Sequence, residues 1–567
     1  MTSSEIAAFL AGFAVILGLA RLLGHLARML KQPAVIGEIV AGILLGPTLF
    51  GTFFPELSHQ LFPGSFHFKA AFNALATLSM CLLMVVAGME VELSVIRREG
   101  ARAGIIGATG TVLLALVALA LGFSYPAFWG SGEIPPHVFA LFFATAIAIS
   151  ALPVIIRILI DLRLFKSNFG MMVTATAMLN DLCGWFLFSV VMALAGAGKA
   201  HPRSPLLTIT LTLGLVIFSL TAGRRLVNWL LPKVQRNFTW PGGVLTFIVV
   251  LSLVSAAVTE WIGVHAVLGA FLGGVMFSDS RFLEDKTREI TDQFISNIFA
   301  PIFFASIGFH ANFAANFRPG LVLAVLLLAL AGKGLGFYLG ARWAKIYQPE
   351  SYATSFALLS SGTMGIILGL VGLEAGFITH ELFVALVIMA LVTSILSGPL
   401  LSASLKLHQR KGILELLDPG LFVADLQATN PAEAISALAR PLARVTDLDA
   451  DVIARVVADR EELMSTGLGW GLAIPHGRIP GLKKPYLVVG RSRQGIDFKA
   501  PDDKPSYWIF LVVTPERADV EQIHILAAIA RRFNDEKFRH ELRAIDTFHQ
   551  FRHLIETTSE ADSPGGL

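Results

Sequence analysis

Long apolar runs recur along most of this chain and limit what it can fold into. About thirteen of them, each near twenty residues long, lie between residues 6 and 405 of the 567. A helix of that length crosses the roughly 30 Å hydrocarbon core of a bilayer. Charged residues make up 15% of the chain and the mean hydropathy is +0.68, whereas a soluble protein carries about 25% charged residues. The runs predict a polytopic α-helical membrane protein with about thirteen transmembrane helices.

The loops between the runs predict the orientation of the chain. The spans are expected near residues 6–28, 33–51, 70–94, 103–124, 137–160, 168–197, 205–222, 243–260, 263–277, 293–309, 320–343, 352–373 and 380–405. One alternate set of loops holds basic clusters such as Arg97–Arg98 and Arg224–Arg225, and the other set holds few Lys or Arg residues. Because basic loops stay in the cytoplasm, we expect the N-terminus outside the inner (plasma) membrane and the C-terminal part inside the cell.

The composition changes to that of a soluble domain near residue 412. We therefore expect a membrane domain at 1–405, a linker at 406–412, a soluble domain at 413–558 and a disordered tail at 559–567. From residue 412 onward, 18 Lys and Arg stand against 23 Asp and Glu, and we find no basic patch typical of a nucleic-acid partner. The two cysteines, Cys81 and Cys183, lie in apolar runs and indicate neither a disulfide nor a metal site. No cofactor is expected.

Asp181 is the most informative single residue, since it lies in the middle of an apolar run from Met171 to Phe188. An ionised carboxylate near the bilayer midplane costs roughly 3 kcal/mol or more, so it usually serves ions or protons. Burial favours the protonated carboxyl, and a nearby cation favours the carboxylate. Competition between a proton and Na⁺ or K⁺ for Asp181 would couple two fluxes, and Asn180 offers a neutral oxygen ligand beside it. A carboxylate held in helix packing is the alternative.

Two spans contain helix-breaking residues at corresponding places. Residues 144–153 of the fifth span include Thr145, Ser150 and a proline that removes a helix hydrogen bond in mid-span. Residues 360–369 of the twelfth span include Thr363 and three glycines. Paired interruptions in two halves predict inverted repeats with the substrate site at the midplane, and the three hydroxyl residues become candidate neighbours of the cation. Ordinary helix packing through small residues is the alternative.

Lys333 is a second ionisable residue in mid-span, within the eleventh run. One interpretation is that it pairs with Asp181 or loses its proton when the cation enters. The other is that it only neutralises backbone carbonyls exposed by the broken helices. Glu38 and Glu90 lie nearer the ends of their spans, where a position at the membrane interface is expected.

Residues from about 5 to 405 resemble the monovalent cation:proton antiporter-2 family. The matching stretches are Gln32–Pro47, Ala148–Arg157 and Gly263–Leu272. The resemblance implies a homodimer in which a core domain moves against a dimerisation domain, with two broken helices that cross near Asp181. In one branch of the family two successive aspartates stand there and exchange is electrogenic. This chain has Asn180 before Asp181, as electroneutral relatives do, and the resemblance therefore favours electroneutral exchange.

The soluble part carries two candidate phosphate-handling histidines. His476 stands between a proline and a glycine, which predicts a turn that holds the imidazole at the surface. Arg478 is a suitable phosphate partner, and His524 opens a later apolar run. Apolar runs at 486–490 and 508–513 predict strands.

Together with Arg460, these residues resemble the mannitol/fructose/nitrogen class of enzyme IIA domains of the sugar phosphotransferase system. The resemblance implies a C-terminal α/β (α+β) domain in which His476 accepts phosphate and His524 assists. A retained sensor that no longer transfers phosphate is the alternative. Its regulator would be a phosphotransferase-system protein or a small molecule.

The sequence is compatible with three functions. The leading hypothesis is a secondary antiporter, not an enzyme, that exchanges Na⁺ or K⁺ for protons under control of the cytoplasmic domain. A membrane-anchored phosphotransfer protein would need one or two helices, not about thirteen with Asp181 and Lys333 in mid-span. A proton-coupled organic solute carrier would have more polar or aromatic residues around the broken helices. Sequence does not choose between Na⁺ and K⁺, because the same oxygens bind both.

Overall fold

The computed structural model describes residues 2–30, 32–91, 93–162, 164–165, 167–195, 204–346, 348–409, 413–516 and 519–561. By its contacts the chain divides into two compact units. The first contains nearly all residues up to Leu401, and the second contains the residues that follow together with two short segments, 167–169 and 345–353.

The described residues before residue 410 form helices, apart from one isolated β-bridge between Ser131 and Ile378. Its helices are α1 Ser3–Met29, α2 Ala34–Leu45, α3 Phe50–Phe53, α4 Pro55–Leu61, α5 Phe66–Met89, α6 Leu93–Ser124, α7 Pro126–Trp129, α8 Pro136–Ala148, α9 Leu152–Asp161, α10 Asn168–Leu194, α11 Pro205–Phe218, α12 Arg224–Asn237, α13 Gly242–Ile262, α14 Ala266–Phe277, α15 Asp285–Phe294, α16 Ala300–His310, α17 Pro319–Trp343, α18 Gln348–Ala357, α19 Gly362–Glu374 and α20 His380–Gln409. Two π-helical turns, Ser219–Gly223 and Ile295–Phe299, join α11 to α12 and α15 to α16.

These helices confirm a polytopic α-helical membrane protein. Among the described residues, twelve helical segments are long and apolar enough to cross a membrane, and a thirteenth, α14, is apolar but only 12 residues long. Each corresponds to one predicted span. The short α14 is capped by polar side chains: Glu260 accepts a hydrogen bond from the Ala266 N–H at 2.9 Å, and His265 accepts one from the Val267 N–H at 3.4 Å.

Glycines allow α2 and α16 to pack with their backbones in direct contact. A Cβ atom built on Gly42 would lie 1.9 Å from the carbonyl oxygen of Ala305, and one on Gly308 would lie 2.0 Å from the carbonyl carbon of Gly42. Small residues at helix contacts are typical of membrane proteins, because close approach increases van der Waals contact where the hydrophobic effect is weak.

The second unit is a mixed sheet with helices on both faces. Its elements are α21 Ile413–Leu416, β1 Phe422–Val423, α22 Pro431–Val445, α23 Ala450–Leu463, β2 Gly467–Gly469, β3 Leu472–Ala473, β4 His476–Ile479, β5 Tyr486–Ile496, β6 Ser506–Pro515, α24 Asp519–Asn534, α25 Glu536–Leu542 and α26 Phe548–Ala561. The two predicted strands lie within β5 and β6, and the expected α/β class is confirmed.

Strand β6 organises this sheet. It pairs antiparallel with β5 and parallel with β3 and β4, while β1 adds to β5 and β2 adds to β3. Successive side chains of a strand point to opposite faces. Phe510 and Val512 accordingly pack against α24–α26, and Leu511 and Val513 pack against α22 and α23. The sheet therefore has one apolar core on each face.

The ends of the predicted domains fall on regular structure or outside the described residues. Helix α20 continues to Gln409 through the first half of the expected linker, and residues 410–412 lie outside the described part. Helix α26 continues to Ala561 into the expected tail, and residues 562–567 also lie outside it.

The contact between α2 and α16 makes a testable prediction. Gly308→Ala places a methyl group within the Gly42 backbone, so the helices must separate, and we expect a loss of about 1–3 kcal/mol in stability. In Gly18→Ala, on α1, the new methyl group meets nothing within 4 Å, and a gain of up to about 1 kcal/mol is expected from reduced chain entropy. Thermal unfolding of both purified variants measures the difference. Equal melting temperatures would contradict the packing argument.

Candidate functional site

Two interrupted helices meet and satisfy each other's backbone. Helix α8 ends at Ala148, residues 149–151 are extended, and α9 begins at Leu152. The Ala151 N–H donates to the Ser360 carbonyl at 2.9 Å, and the Ser150 hydroxyl donates to the Leu358 carbonyl at 2.9 Å. Backbone groups freed by a break at membrane depth require such partners. The predicted pair of broken helices is therefore present.

The breaks differ in detail from the sequence prediction. Pro153 is the second residue of α9, where its missing N–H costs no helix hydrogen bond, so the interruption precedes the proline. In the second break, Gly362 has φ of +45°, and a Cβ on it would lie 2.2 Å from the Cβ of Ala151. Only glycine allows both this backbone conformation and this close approach.

Lys333 on α17 connects the two breaks. Its side chain is fully buried, and its ammonium donates to the Ile149 carbonyl at 2.6 Å and to the Ser361 hydroxyl at 2.6 Å. Ile149 belongs to the first break and Ser361 to the second. These contacts are of the kind expected from a lysine that neutralises exposed carbonyls.

Hydroxyl groups on α20 complete the second break, and the sequence analysis did not select them. Thr393 accepts the Ser361 N–H at 3.1 Å, Ser394 shares a hydrogen bond with Ser360 at 3.0 Å, and the Ser397 hydroxyl donates to the Phe356 carbonyl at 2.7 Å. Their spacing in an otherwise apolar run, with three hydroxyls on one helical face, was the signal that could have found them.

Asp181 lies on α10 beside the first break. One turn further along the same face, a Cβ on Gly184 would lie 2.5 Å from the Ile149 side chain, so α10 packs directly on the interruption. Asp181 is 0% exposed, and neither carboxylate oxygen accepts a hydrogen bond of good geometry in the described part of the chain, although the Leu152 N–H at the start of α9 acts on the carboxylate electrostatically. The charges of Lys333 and Glu90 act on it through space. A buried, unpaired carboxylate is costly, so the site requires either a proton or a cation.

The other predicted neighbours of the cation differ in how they are held. The Asn180 side-chain carbonyl, proposed as a free ligand, accepts a hydrogen bond from Thr111 of α6 at 2.8 Å, which leaves it one lone pair. The Thr145 hydroxyl donates to the Leu141 carbonyl at 2.8 Å, one turn before the break. Thr363, in the first turn of α19, lines a small apolar cleft with residues such as Pro33 and Val154. Of the three hydroxyl residues, only Ser150 contacts the opposite break through its hydroxyl.

Glu38 is buried in the helix packing. The residue is 4% exposed, because Gly24 of α1 leaves room for the carboxylate, whose Oε1 atom would lie 3.4 Å from a Cβ at that glycine. Its expected position at the membrane interface stays a prediction.

In the second unit, His476 and Arg478 point to the same face of the sheet. His476 is the first residue of β4, paired with Val512, so the predicted surface turn is wrong: the imidazole is half-buried on a strand. Its Nδ1 atom lies 2.9 Å from the Ile474 carbonyl oxygen, which can only accept a hydrogen bond. Nδ1 therefore carries the proton, and Nε2 keeps a free lone pair.

The surroundings of His476 favour a neutral imidazole. Burial lowers the pKa of His476, its hydrogen bond to Ile474 acts in the opposite direction, and the charges of Arg460 and Arg478 lower the pKa further. Arg478 donates from Nε to the side chain of Gln522, which is 4% exposed, at 2.9 Å. The sequence analysis missed Gln522, which lies on α24. The side chain of His524, on the same helix, lies outside the described part.

Comparison with known proteins assigns both parts of the chain. Residues 7–407 match the family described as sodium/hydrogen exchanger, transmembrane, and residues 415–558 match EIIA 2 of the phosphoenolpyruvate-dependent sugar phosphotransferase system. Among solved structures, nitrogen regulatory protein IIA-Ntr from Neisseria meningitidis is 31% identical, covering 25% of this chain and 98% of that one, with a TM-score of 0.25.

Two relatives match the membrane part. The Na(+)/H(+) antiporter NhaS4 of Synechocystis sp. is 30% identical over 412 residues, which cover 70% of this chain and 98% of the relative. The K(+)/H(+) antiporter 1 of Saccharomyces cerevisiae is 30% identical over 419 residues. The match covers 70% of this chain and 46% of the relative, so the chain spans about half the length of that protein. This chain therefore belongs to the sodium/hydrogen exchanger family and carries a C-terminal enzyme IIA domain.

Proposed function

We propose that this protein is a secondary antiporter that exchanges Na⁺ or K⁺ for protons, with Asp181 as the site that both ions share. The observation that carries the proposal is the fully buried Asp181 carboxylate beside the crossing breaks, whose two oxygens have no side-chain hydrogen-bond partner among the described residues. A proton or a monovalent cation each removes the cost of this buried charge, and the two exclude one another. A membrane anchor for phosphotransfer would leave that carboxylate without a role, and a proton-coupled organic solute carrier would need more polar or aromatic residues around the broken helices.

The arrangement around Asp181 favours exchange of one cation for one proton. Asn180 carries no charge and is held by Thr111. Lys333 uses its ammonium to donate to both breaks, so loss of its proton would weaken two contacts that hold the crossing together. Of these three residues, Asp181 is then the one whose charge alternates in the transport cycle. We infer electroneutral exchange from this arrangement.

The proposal extends to the assembly of the protein. A homodimer in the inner membrane, with the N-terminus outside and the enzyme IIA domain in the cytoplasm, fits the family and the charge of the loops. A domain attached within a few residues of α20 stays near the cytoplasmic loops at an effective concentration that reaches ~mM. We propose that it regulates exchange through phosphorylation of His476 or through a bound regulator.

The role of Asp181 is tested by Asp181→Asn. The amide keeps the shape of the side chain and cannot bind a cation in exchange for a proton, so we expect no Na⁺- or K⁺-driven proton flux from proteoliposomes. The melting temperature should be unchanged or higher, because a buried unpaired charge is removed. Asp161→Asn, at the end of α9 in an exposed pair with Arg157, is the matched control and should transport normally. Near-normal exchange by Asp181→Asn would rule out the shared site.

Electroneutrality is tested by imposing a membrane potential on proteoliposomes. We expect the exchange rate to change little with voltage in the natural protein. Lys333→Gln retains an amide donor for one of the two contacts, so we expect a lower melting temperature and slower exchange that remains independent of voltage. A strong voltage dependence that Lys333→Gln abolishes would show instead that Lys333 changes charge during the cycle.

Phosphorylation is tested with the full chain, phosphoenolpyruvate and the general phosphotransferase proteins. We expect a phosphoryl group to pass from the donor's phosphohistidine to Nε2 of His476, with one N–P bond broken and one formed. The His476→Ala variant should no longer accept the phosphoryl group. The His549→Ala variant, changed at an exposed histidine of the same domain, should still accept it. A lowered pKa keeps the imidazole neutral to lower pH, so the rate should hold as the pH falls through 6.5, the ordinary imidazole value, and decline only below it.

Regulation is measured in the same proteoliposomes. Removal of the residues after Lys411 should change the rate or its pH profile and leave the exchange chemistry intact, and His476→Ala should reproduce part of that change. Unaltered transport by both variants, with and without the phosphotransferase proteins, would exclude a regulatory domain.

A further inference from the structure

A basic cavity lies in the first unit, apart from the proposed exchange site and among loops that the sequence predicts to be cytoplasmic. It has a volume of about 600 Å³ and opens to solvent. Its walls come from the π-helical turn and α12, from the loop after α14, and from the start of α6. The lining residues are Ser94, Leu220, Thr221, Arg224, Arg225, Asn228, Asp279, Arg281 and Phe282.

The two main walls of this cavity are fixed to each other. Arg224 forms an ion pair with Asp279 at 3.0 Å, and the Ser280 hydroxyl donates to the Asn228 side-chain carbonyl at 2.6 Å. Further along α12, the Gln235 amide donates to the Phe282 carbonyl at 2.7 Å. The cavity is therefore preformed, and a ligand would meet side chains that are already positioned.

The π-helical turn aims the polar side chains into the cavity. A single turn of π-helix adds a residue to the helical register and is frequent at functional sites. Here Thr221 lies in the turn, and Arg224, Arg225 and Asn228 follow at spacings of three to seven residues, which brings them to one face. Gly223 anchors the turn, since a Cβ there would lie 2.5 Å from the sulfur of Met276.

The cavity contains more positive charge than its own carboxylate can balance. Arg224 is paired with Asp279, whereas Arg225 and Arg281 are exposed, and neither has a side-chain partner among the residues that the structure describes. Two guanidinium groups line this cavity, and the paired N–H donors of a guanidinium match the oxygens of a phosphate group. Phe282, 47% exposed, adds an apolar wall beside them.

We propose that this cavity binds a phosphate group, bridged between Arg225 and Arg281, that is carried by an anionic ligand. The group is either the headgroup phosphate of an anionic phospholipid or a soluble phosphate. Both sources share the same chemistry at the arginines. The ligand would join α12 to the loop after α14 more firmly than the existing polar contacts do. Binding does not depend on the exchange chemistry proposed for Asp181.

The test uses the full chain in neutral detergent with two probes, inorganic phosphate and phosphatidylglycerol, and with phosphatidylcholine as the reference lipid. Binding is read from the shift in melting temperature across a titration. One of the two probes should stabilise the natural protein more than the reference does. The double variant Arg225→Gln/Arg281→Gln should bind that probe about tenfold more weakly or worse, since it loses charge-assisted hydrogen bonds.

Two further variants make the result specific. Arg236→Gln removes the same charge from the end of α12 outside the cavity, and it should bind as the natural protein does. Arg225→Lys/Arg281→Lys keeps the charge but removes the paired N–H donors of the guanidinium groups, so it should give an intermediate affinity. Stabilisation by phosphatidylglycerol alone identifies a lipid headgroup, and stabilisation by inorganic phosphate identifies a soluble ligand. No stabilisation by either probe, or equal binding by the double Gln variant, overturns the site.

Discussion

The two hydrogen bonds from Lys333 support the arrangement of the whole membrane unit. They connect the Ile149 carbonyl of one broken helix with the Ser361 hydroxyl of the other. A helix interrupted at membrane depth leaves backbone groups that neither lipid nor the helix itself can satisfy, each at a cost of several kcal/mol. The ammonium supplies charge where two sets of these groups meet. Ser150 and the hydroxyls of α20 satisfy further backbone groups near the two breaks.

This arrangement separates the two buried charges by role. Lys333 donates to fixed neighbours, whereas Asp181 has no side-chain hydrogen-bond partner among the described residues and lies against the same break. The break thus places a costly carboxylate next to a polar backbone while leaving its oxygens available. Thr111 holds Asn180 from a different helix, which limits how far the neighbouring amide can follow a bound ion. The proposed exchange of one cation for one proton rests on this arrangement.

The second unit positions its own candidate site through a β-sheet. The alternation of side chains along β6 fills an apolar core on each face. The strand β4 beside it presents His476 and Arg478 on the face that carries α24. The Ile474 carbonyl then selects the protonated ring nitrogen. The availability of Nε2 therefore follows from a backbone contact two residues away, and the helix α24 supplies Gln522 to hold the arginine.

Sequence alone determined the thirteen apolar segments, the two interrupted spans, the mid-span position of Asp181 and the strands β5 and β6, because each depends on local composition and periodicity. It left the role of Lys333 open, expected His476 on a turn and did not select Thr111 or Gln522. These features depend on contacts between distant parts of the chain: Lys333 meets a carbonyl 184 residues away, and Thr111 meets Asn180 across 69 residues. Only the tertiary structure decides such partners, because the packing of whole helices and strands brings them within hydrogen-bond distance.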